Sequence, residues 1–120
     1  MGDLALRIAD AEVWPRLDAG DIDAFAGADA TPAAVFFPGA KANRRETDDV
    51  AVVLRELARA GHVRAAVIAG GEGAAKTRFG VVAAPSLLVV GPGGASVVPL
   101  IADWPAYLEA ARNARREIAA

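Results

Sequence analysis

Two short apolar segments on either side of one amphipathic helix restrict the fold of this chain more than any other feature. The segments are "PAAVFFP" (Pro32–Pro38) and "VRAAVIAG" (Val63–Gly70), and each has the length and content of a buried strand. Between them, apolar residues recur at the helical spacing i, i+3, i+4, i+7, namely Val50, Val53, Leu54 and Leu57. Because such crossovers are right-handed, strands 32–37 and 63–69 are predicted to be parallel neighbours.

The two ends of this helix carry recognisable signals. Thr47 is expected to cap its start, and Asp48 and Asp49 then lie in the first turn, where the helix dipole favours acidic side chains. Gly61 is the expected stop, because glycine adopts the left-handed conformation that commonly ends a helix.

The second half of the chain predicts a short helix followed by a hairpin. Glu72–Gly80 suits a helix that ends at a glycine, and "SLLVV" is a strand that begins directly after Ala84-Pro85. The glycine-rich reversal Gly91–Gly94 then leads into "ASVVPLI", which is expected to pair back antiparallel.

A last amphipathic helix is predicted from Asp103, as its N-cap, to Ile118, with Trp104 and Tyr107 as packing anchors. The order β-α-β-α-β-β-α indicates an α/β sandwich with a mixed sheet, and 120 residues suit a single domain over residues 1–120. Residues 3–13 are weakly patterned and suit either a short helix or an edge segment. Asp21 is expected to cap a short helical turn through Phe25.

Composition excludes several classes of function. The chain has no cysteine, which rules out thiol catalysis, iron–sulfur ligation and a thiolate zinc site. Its apolar runs are shorter than the roughly 20 residues that span a bilayer, and its start lacks the features of a secretory signal, so a cytoplasmic protein without membrane insertion is expected. The net charge of −2 gives no reason to expect nucleic-acid binding.

No set of residues indicates an enzyme, and no cofactor or metal is expected. Ser86 has no evident base, and His62 is the only histidine and has no second ligand beside it. The segment "GGEGAAK" lacks the ending of a phosphate-binding loop. Charge is unevenly distributed, because residues 1–40 hold seven acidic and two basic side chains, whereas the remainder holds eight and eleven.

The order of elements, with a proline immediately before the third strand in "AAKTRFGVVAAPSLLVV", resembles the thioredoxin fold, here without its cysteine pair. Four blocks then resemble the HupG/HyaE-type hydrogenase expression/maturation family. They are "FFPG" followed by "ETDDVAVVLREL" (Glu46–Leu57), then "RAAVIA", then "RFGV" followed by "PSL", and last "DWPAYL". The resemblance covers most of the chain from Ala33 onward. It implies a thioredoxin-like α/β/α sandwich with a mixed central sheet and a cis-proline loop at Pro85.

The resemblance also implies a function. Proteins of this family are thought to act as chaperones for the small-subunit precursor of nickel–iron hydrogenases, holding it with its twin-arginine signal peptide before export. The implied docking segment is Ala84, Pro85 and Ser86, which would take an extended peptide by strand addition, although the proline could serve structure alone. Glu46, Asp48 and Asp49 either complement the helix dipole or also form an acidic patch for the signal-peptide arginines.

The expectation is therefore a non-enzymatic, redox-inactive chaperone whose partner is the hydrogenase small-subunit precursor, with weak self-association also allowed. The alternatives are a thioredoxin-like interaction domain with another client, or a cysteine-independent hydrolase or transferase. The absence of a nucleophile–base set in the sequence argues against the enzyme.

Overall fold

The computed structural model describes residues 3–39, 44–99 and 102–115. Five strands form one sheet in the order β1-β3-β2-β4-β5; along the chain they are β1 (Arg16–Asp18), β2 (Ala33–Phe37), β3 (Arg64–Gly70), β4 (Ser86–Gly91) and β5 (Gly94–Pro99). The helices of the described residues are α1 (Asp3–Ala11), α2 (Ile22–Gly27), α3 (Arg44–Arg59), α4 (Glu72–Phe79) and α5 (Trp104–Arg115), and a 3-10 turn at Ala19–Asp21 precedes α2.

The directions of the strands confirm the predicted crossover. β2 and β3 are parallel, with Ala33 opposite Arg64 and Phe36 opposite Val67, and β1 adds a further parallel strand beside β3. β4 is antiparallel to β2, and β5 is antiparallel to β4. The result is the expected mixed sheet of a thioredoxin-like α/β fold.

The helices cover both faces of this sheet. On one face α1, α3 and α5 enclose a core that includes Phe36, Leu54 and Tyr107. On the other face α2 and α4 enclose a smaller core that includes Phe37 and Ile22. Because side chains alternate along a strand, neighbouring residues of β2 supply the two cores in turn.

The N-terminal segment, residues 3–18, contributes two elements: a helix, which is one of the two alternatives for residues 3–13, and a strand that the sequence did not indicate. Its helix α1 packs on α3 through the buried residues Ala5, Ile8 and Ala9. Its strand β1 is only three residues long, with Leu17 buried between two exposed neighbours. A strand of this length gives almost no alternating pattern, which explains why the sequence did not reveal it.

The predicted start of α3 at Thr47 was wrong. The helix begins at Arg44, so Glu46 lies in its first turn and Thr47 is buried within it at 2% exposure. Its predicted end is confirmed: Gly61 has a φ of 80°, and the amides of Gly61 and His62 bond back to Ala58 and Leu57.

Other predicted boundaries are partly tested. Asp21 lies at the N-cap of α2, but its carboxylate accepts a hydrogen bond from the amide of Asp18, in the preceding turn, at 3.2 Å. The predicted ends of the hairpin at Ile101 and of the last helix at Ile118 lie outside the described residues. None of the described helices has both the length and the apolar character required to cross a bilayer.

Arg64 joins the sheet to the end of α2. Its guanidinium donates to the carbonyls of Phe25, Ala26 and Thr31 at 2.8, 3.1 and 2.9 Å, and it lies 4.7 Å from the centre of the Phe25 ring. The last carbonyls of a helix lack partners within that helix, so a cation here satisfies them and complements the helix dipole.

We expect Arg64→Met to lower the free energy of unfolding by about 2 kcal/mol, because three carbonyls lose a charged donor. Arg64→Lys should lower the free energy of unfolding by less than Arg64→Met does, but should not match the native chain, since an ammonium cannot reproduce the guanidinium fork. Urea unfolding measures both changes.

The matched control is Arg16→Met, which removes only an exposed ion pair with Asp10 and should lower the free energy of unfolding by less than about 1 kcal/mol. Equal losses for the two methionine variants would contradict this role for Arg64.

Candidate peptide-binding site

The candidate site lies at the end of the sheet where the parallel strands β1, β2 and β3 finish. There Phe37, the last residue of β2, pairs with Ser86 at the start of β4. Ser86 also pairs with Pro99, the last residue of β5. Because α3 starts from this end and α5 follows β5 there, the proline loop, the start of α3 and the start of α5 converge; we call this region the client end.

The proline loop presents backbone and small side chains at the client end. The Ala84–Pro85 peptide bond is cis, Pro85 is buried, and Ala84 is half-buried. Ser86 has no exposed surface, and its hydroxyl donates to the carbonyl of Ala83 at 2.6 Å. The Ser86 side chain therefore stabilises the turn through this buried hydrogen bond. A peptide bound here would contact the segment before the proline instead.

That segment contains the most exposed large apolar side chain of the described residues. Val82, three positions before Pro85, is 95% exposed. An apolar side chain that is this exposed is costly to leave in water and suits an apolar ligand. The sequence contained Val82 within an apolar run, and nothing in that run distinguished it from its buried neighbour Val81.

The start of α5 adds a second exposed apolar group. Tyr107 is 1% exposed and, as predicted, anchors the helix; the amide of Ala102 donates to its hydroxyl at 3.2 Å. Burial raises the pKa of the Tyr107 hydroxyl, and the bond from Ala102 partly opposes this. Trp104 was also expected to be a packing anchor, but it is 42% exposed, so that prediction was wrong. Asp103, directly before it, is exposed as well.

The three acidic residues predicted for the site are not equivalent. Glu46 is half-buried and Asp49 is exposed, and within the described part of the chain neither has a hydrogen bond or ion pair. Asp48 instead accepts a hydrogen bond from the amide of Ala5, in the first turn of α1, at 3.1 Å. Asp48 therefore connects α1 to α3, a contact that Glu46 and Asp49 do not make.

The Asp48 contact defines how α1 lies on α3. Asp48, near the start of α3, meets the first turn of α1, and Arg59 at the end of α3 bonds Glu12 just beyond α1 at 2.6 Å. The two helices therefore run side by side in the same direction. Since the first amides of a helix have no partner within it, the Asp48 carboxylate satisfies one of them in α1.

Positive charge is also present at the client end. Arg45, beside Glu46, is exposed, and Arg44 opens α3, although its side chain and residues 40–43 lie outside the description. The exposed charge around the start of α3 is therefore mixed. The carboxylates would attract a basic ligand and Arg45 would repel it, so the two contributions must be measured separately.

Two open grooves of the described chain border the sheet, one at each of its ends. An open groove of about 330 Å³ runs between β5 and α5 and reaches Pro99 and Ala102 at the client end. Another, of about 320 Å³, lies at the opposite end of the sheet, between α2 and the β4–β5 turn. Within the described ranges, no three histidine, aspartate or glutamate side chains are grouped to hold a metal ion.

Comparisons with known proteins agree with one another. Residues 4–107 match the model of the family described as Hydrogenase-1 expression protein HyaE. The chain is 43% identical over 104 residues to the hydrogenase expression/formation protein HupG of Rhizobium leguminosarum bv. viciae, covering 79% of this chain and 68% of that protein. The HupG protein of Bradyrhizobium diazoefficiens is 42% identical over 101 residues, with coverage of 78% and 68%.

A solved structure is similar as well. The crystal structure of a HupG-type hydrogenase expression/formation protein from Rhodopseudomonas palustris superposes with a TM-score of 0.54 at 36% sequence identity. The match covers 79% of this chain and 88% of that one.

We expect Asp48→Ala to lower the free energy of unfolding by about 1 kcal/mol, because it removes the side-chain acceptor at the first turn of α1. Asp49→Ala is the matched control: it removes the same group one residue away, where no described contact is lost, and should change stability by less than about 0.5 kcal/mol. Chemical denaturation measures both. A loss for Asp49→Ala as large as that for Asp48→Ala would contradict the separate roles of the two carboxylates.

Proposed function

The chain belongs to the HyaE family of hydrogenase expression proteins, and we propose that within hydrogenase maturation it acts as a non-enzymatic chaperone for the small-subunit precursor. The family membership supports a role in maturation and a hydrogenase-related partner. The finer proposal is that the client end binds the precursor through its twin-arginine signal peptide, in the cytoplasm, before export. The other reading of the sequence, an interaction domain for a different client, is the alternative that the experiments below test.

The observation that carries the proposal is the combination of groups at the client end. A twin-arginine signal peptide joins an arginine pair to an apolar stretch. The client end offers carboxylates without described partners, Glu46 and Asp49, together with the exposed apolar side chains Val82 and Trp104. One surface could therefore contact both parts of such a peptide, with charge favouring orientation and apolar contact favouring affinity.

The proline loop supports binding of an extended chain. The backbone at Ala84 lies beside the open end of the sheet, and strand addition uses main-chain hydrogen bonds that do not depend on the ligand sequence. Side chains around the loop would then select the peptide. Main-chain binding together with side-chain selection suits a protein that accepts a signal peptide in extended form.

Two features support an accessory role without catalysis. The sequence contains no cysteine for disulfide exchange. The Ser86 hydroxyl is buried and bonded to Ala83, while His62, the only histidine of the sequence, follows the far end of α3. Ser86, at the start of β4, lies at the client end, where α3 also starts, and His62 follows the other end of this helix, which is about 24 Å long. At such a separation the two side chains cannot form a nucleophile–base pair.

The direct test is retention of purified precursor by the immobilised chain, with the precursor prepared both with and without its signal peptide. We expect retention of the full precursor and a large loss when the signal peptide is removed. Retention of neither form would overturn the chaperone proposal and favour a different client. Equal retention of both forms would support the precursor as the client but exclude its signal peptide as the main contact.

The charge contribution is tested with a labelled synthetic signal peptide and fluorescence anisotropy. Glu46→Lys with Asp49→Lys should weaken binding about tenfold at low salt, and the difference should shrink as salt screens the charges. Arg45→Glu should strengthen binding, because it removes a like charge. The control Asp10→Lys with Asp23→Lys makes the same change in net charge away from the client end, at two exposed ion pairs. If both double variants bind equally, the carboxylates of α3 do not contact the peptide.

The apolar contribution is tested separately with Val82→Asn and Trp104→Ala. Both side chains are substantially exposed in the free protein, so each substitution should change the free energy of unfolding by less than about 0.5 kcal/mol. Each should nevertheless weaken binding of the signal peptide several-fold, because apolar area is no longer buried in the complex. The control is Val13→Asn, at another highly exposed valine that lies beyond the far end of α1. Peptide affinity that stays unchanged in both variants would remove the apolar groups from the site.

A further inference from the structure

A second charged surface lies on the helical layer α1–α3–α5, away from the client end. Five arginine side chains from all three helices make it up: Arg7, Arg55, Arg59, Arg112 and Arg115. We call this set the arginine face. Four of the five are exposed and Arg55 is half-buried. Neighbouring helices pack about 8–10 Å apart, so the face is about two helix spacings wide.

Acidic side chains do not balance this charge. Glu12 pairs with Arg59 at 2.6 Å, and Glu56 pairs with Arg55 at 3.3 Å. Arg115 donates to the carbonyls of Gly61 and His62. Within the described part of the chain, Arg7 and Arg112 have no hydrogen bond or ion pair. Two more carboxylates lie near, Asp10 and Glu109, three positions from Arg7 and Arg112 on their helices. Asp10 already pairs with Arg16, so three of these four acidic side chains hold an arginine.

The arginine face also contains two grooves with apolar floors. One, of about 240 Å³, lies between α1 and α3. It is lined by the apolar side chains of Leu4, Ile8 and Ala11 and by the charged side chains of Arg7, Glu12, Arg55 and Arg59. Leu4 is 40% exposed. The other groove, of about 220 Å³, lies between α5 and the segment after α3 and is lined by His62, Leu108, Ala111, Arg112 and Arg115.

Helix stability explains only part of this arrangement. Arg59, Arg112 and Arg115 lie in the last turns of α3 and α5, where the helix dipole favours cations. Arg7 lies within α1, Arg55 lies more than a turn before the end of α3, and neither position gains from the dipole. The helix dipole also gives no reason for the exposed apolar side chains in the groove between Arg7 and Arg55.

We propose that the arginine face is a docking surface for an acidic amphipathic helix of a partner protein. Leucine-like side chains of such a helix would fill the grooves, and its glutamates and aspartates would pair with the arginines, whose planar forks match carboxylates in two-point contacts. This surface goes beyond the proposed signal-peptide site. Arg55, Arg59, Arg112 and Arg115 lie in the later turns of α3 and α5, whereas the client end lies where both helices start.

A long polyanion fits this surface less well. Nucleic-acid backbones are bound through phosphate neutralisation, which needs no apolar floor and is opposed by a negative net charge. The apolar grooves therefore favour a protein helix.

A second copy of this chain fits less well too, because carboxylates of its most acidic segment already hold internal donors. Asp21 accepts from the amide of Asp18, Asp23 accepts from Arg78, and Asp29 accepts from the amide of Thr31. These carboxylates would have to release or share their present donors to pair with arginines of another copy.

The test uses two labelled 18-residue helical peptides of leucine, alanine and one charged residue type, with the leucines on one face. One carries glutamate and the other lysine. We expect the glutamate peptide to bind the full chain, to lose affinity with added salt, and to bind far more tightly than the lysine peptide. Equal binding of the two peptides, or no measurable binding of the glutamate peptide, would overturn the proposal.

Variants then locate the binding. Arg7→Glu with Arg112→Glu should weaken binding of the glutamate peptide at least about tenfold. The control, Lys76→Glu with Arg78→Glu, makes the same charge change on α4, in the opposite layer, and should leave affinity within about twofold. Far-ultraviolet circular dichroism checks that both variants fold. Equal effects of the two pairs would indicate net charge alone and contradict a localised surface.

Two further measurements test the two other ligands considered for the arginine face, nucleic acid and a second copy of this chain. An oligothymidylate that binds as tightly as the glutamate peptide, and is lost in the same Arg7/Arg112 variant, would replace the protein helix with nucleic acid. A dimer in light scattering that this variant dissociates would replace it with a second copy. Signal-peptide binding should be unchanged in the variant, so failure here and failure of the client-end proposal are distinguishable.

Discussion

The central strand β2 is the constraint on which the other elements depend. All five of its residues are fully buried, its backbone pairs with β3 on one side and β4 on the other, and its side chains supply both cores. A strand in this position admits no polar side chain and no free edge. The helix layers, the loop before β4 and the start of α3 are all placed by their connection to this strand.

Much of this arrangement was accessible from the sequence, because it follows from local patterns. The continuous apolar content of Pro32–Pro38 indicated a strand buried on both faces, and the stripe through Val50 and Leu57 indicated the crossover helix. The end of that helix could be predicted from Gly61 alone, because glycine is the residue that readily adopts the positive φ found there. Such features depend on neighbours within a few positions of the chain.

The features that the sequence did not reveal depend on distant partners. Thr47 has the chemistry of a cap, yet tertiary contacts bury it and the helix starts earlier. Asp48 has the same side chain as Asp49, but its partner, Ala5, lies 43 positions away. Trp104 and Val82 belong to types that are usually buried, and only the folded chain leaves them exposed. The candidate site could thus be located from the sequence, although the roles of its members could not.

The parallel packing of α1 on α3 has a practical consequence. The first turn of α1 lies beside Asp48, so any polypeptide joined ahead of Asp3 enters the molecule at the client end. The last described turn of α5 lies at the other end, where Arg115 bonds Gly61 and Gly93 bonds Ala114. A fusion partner or affinity tag at one terminus would therefore crowd one surface and spare the other. Immobilising the chain through each terminus in turn gives two orientations in which the two surfaces can be studied separately.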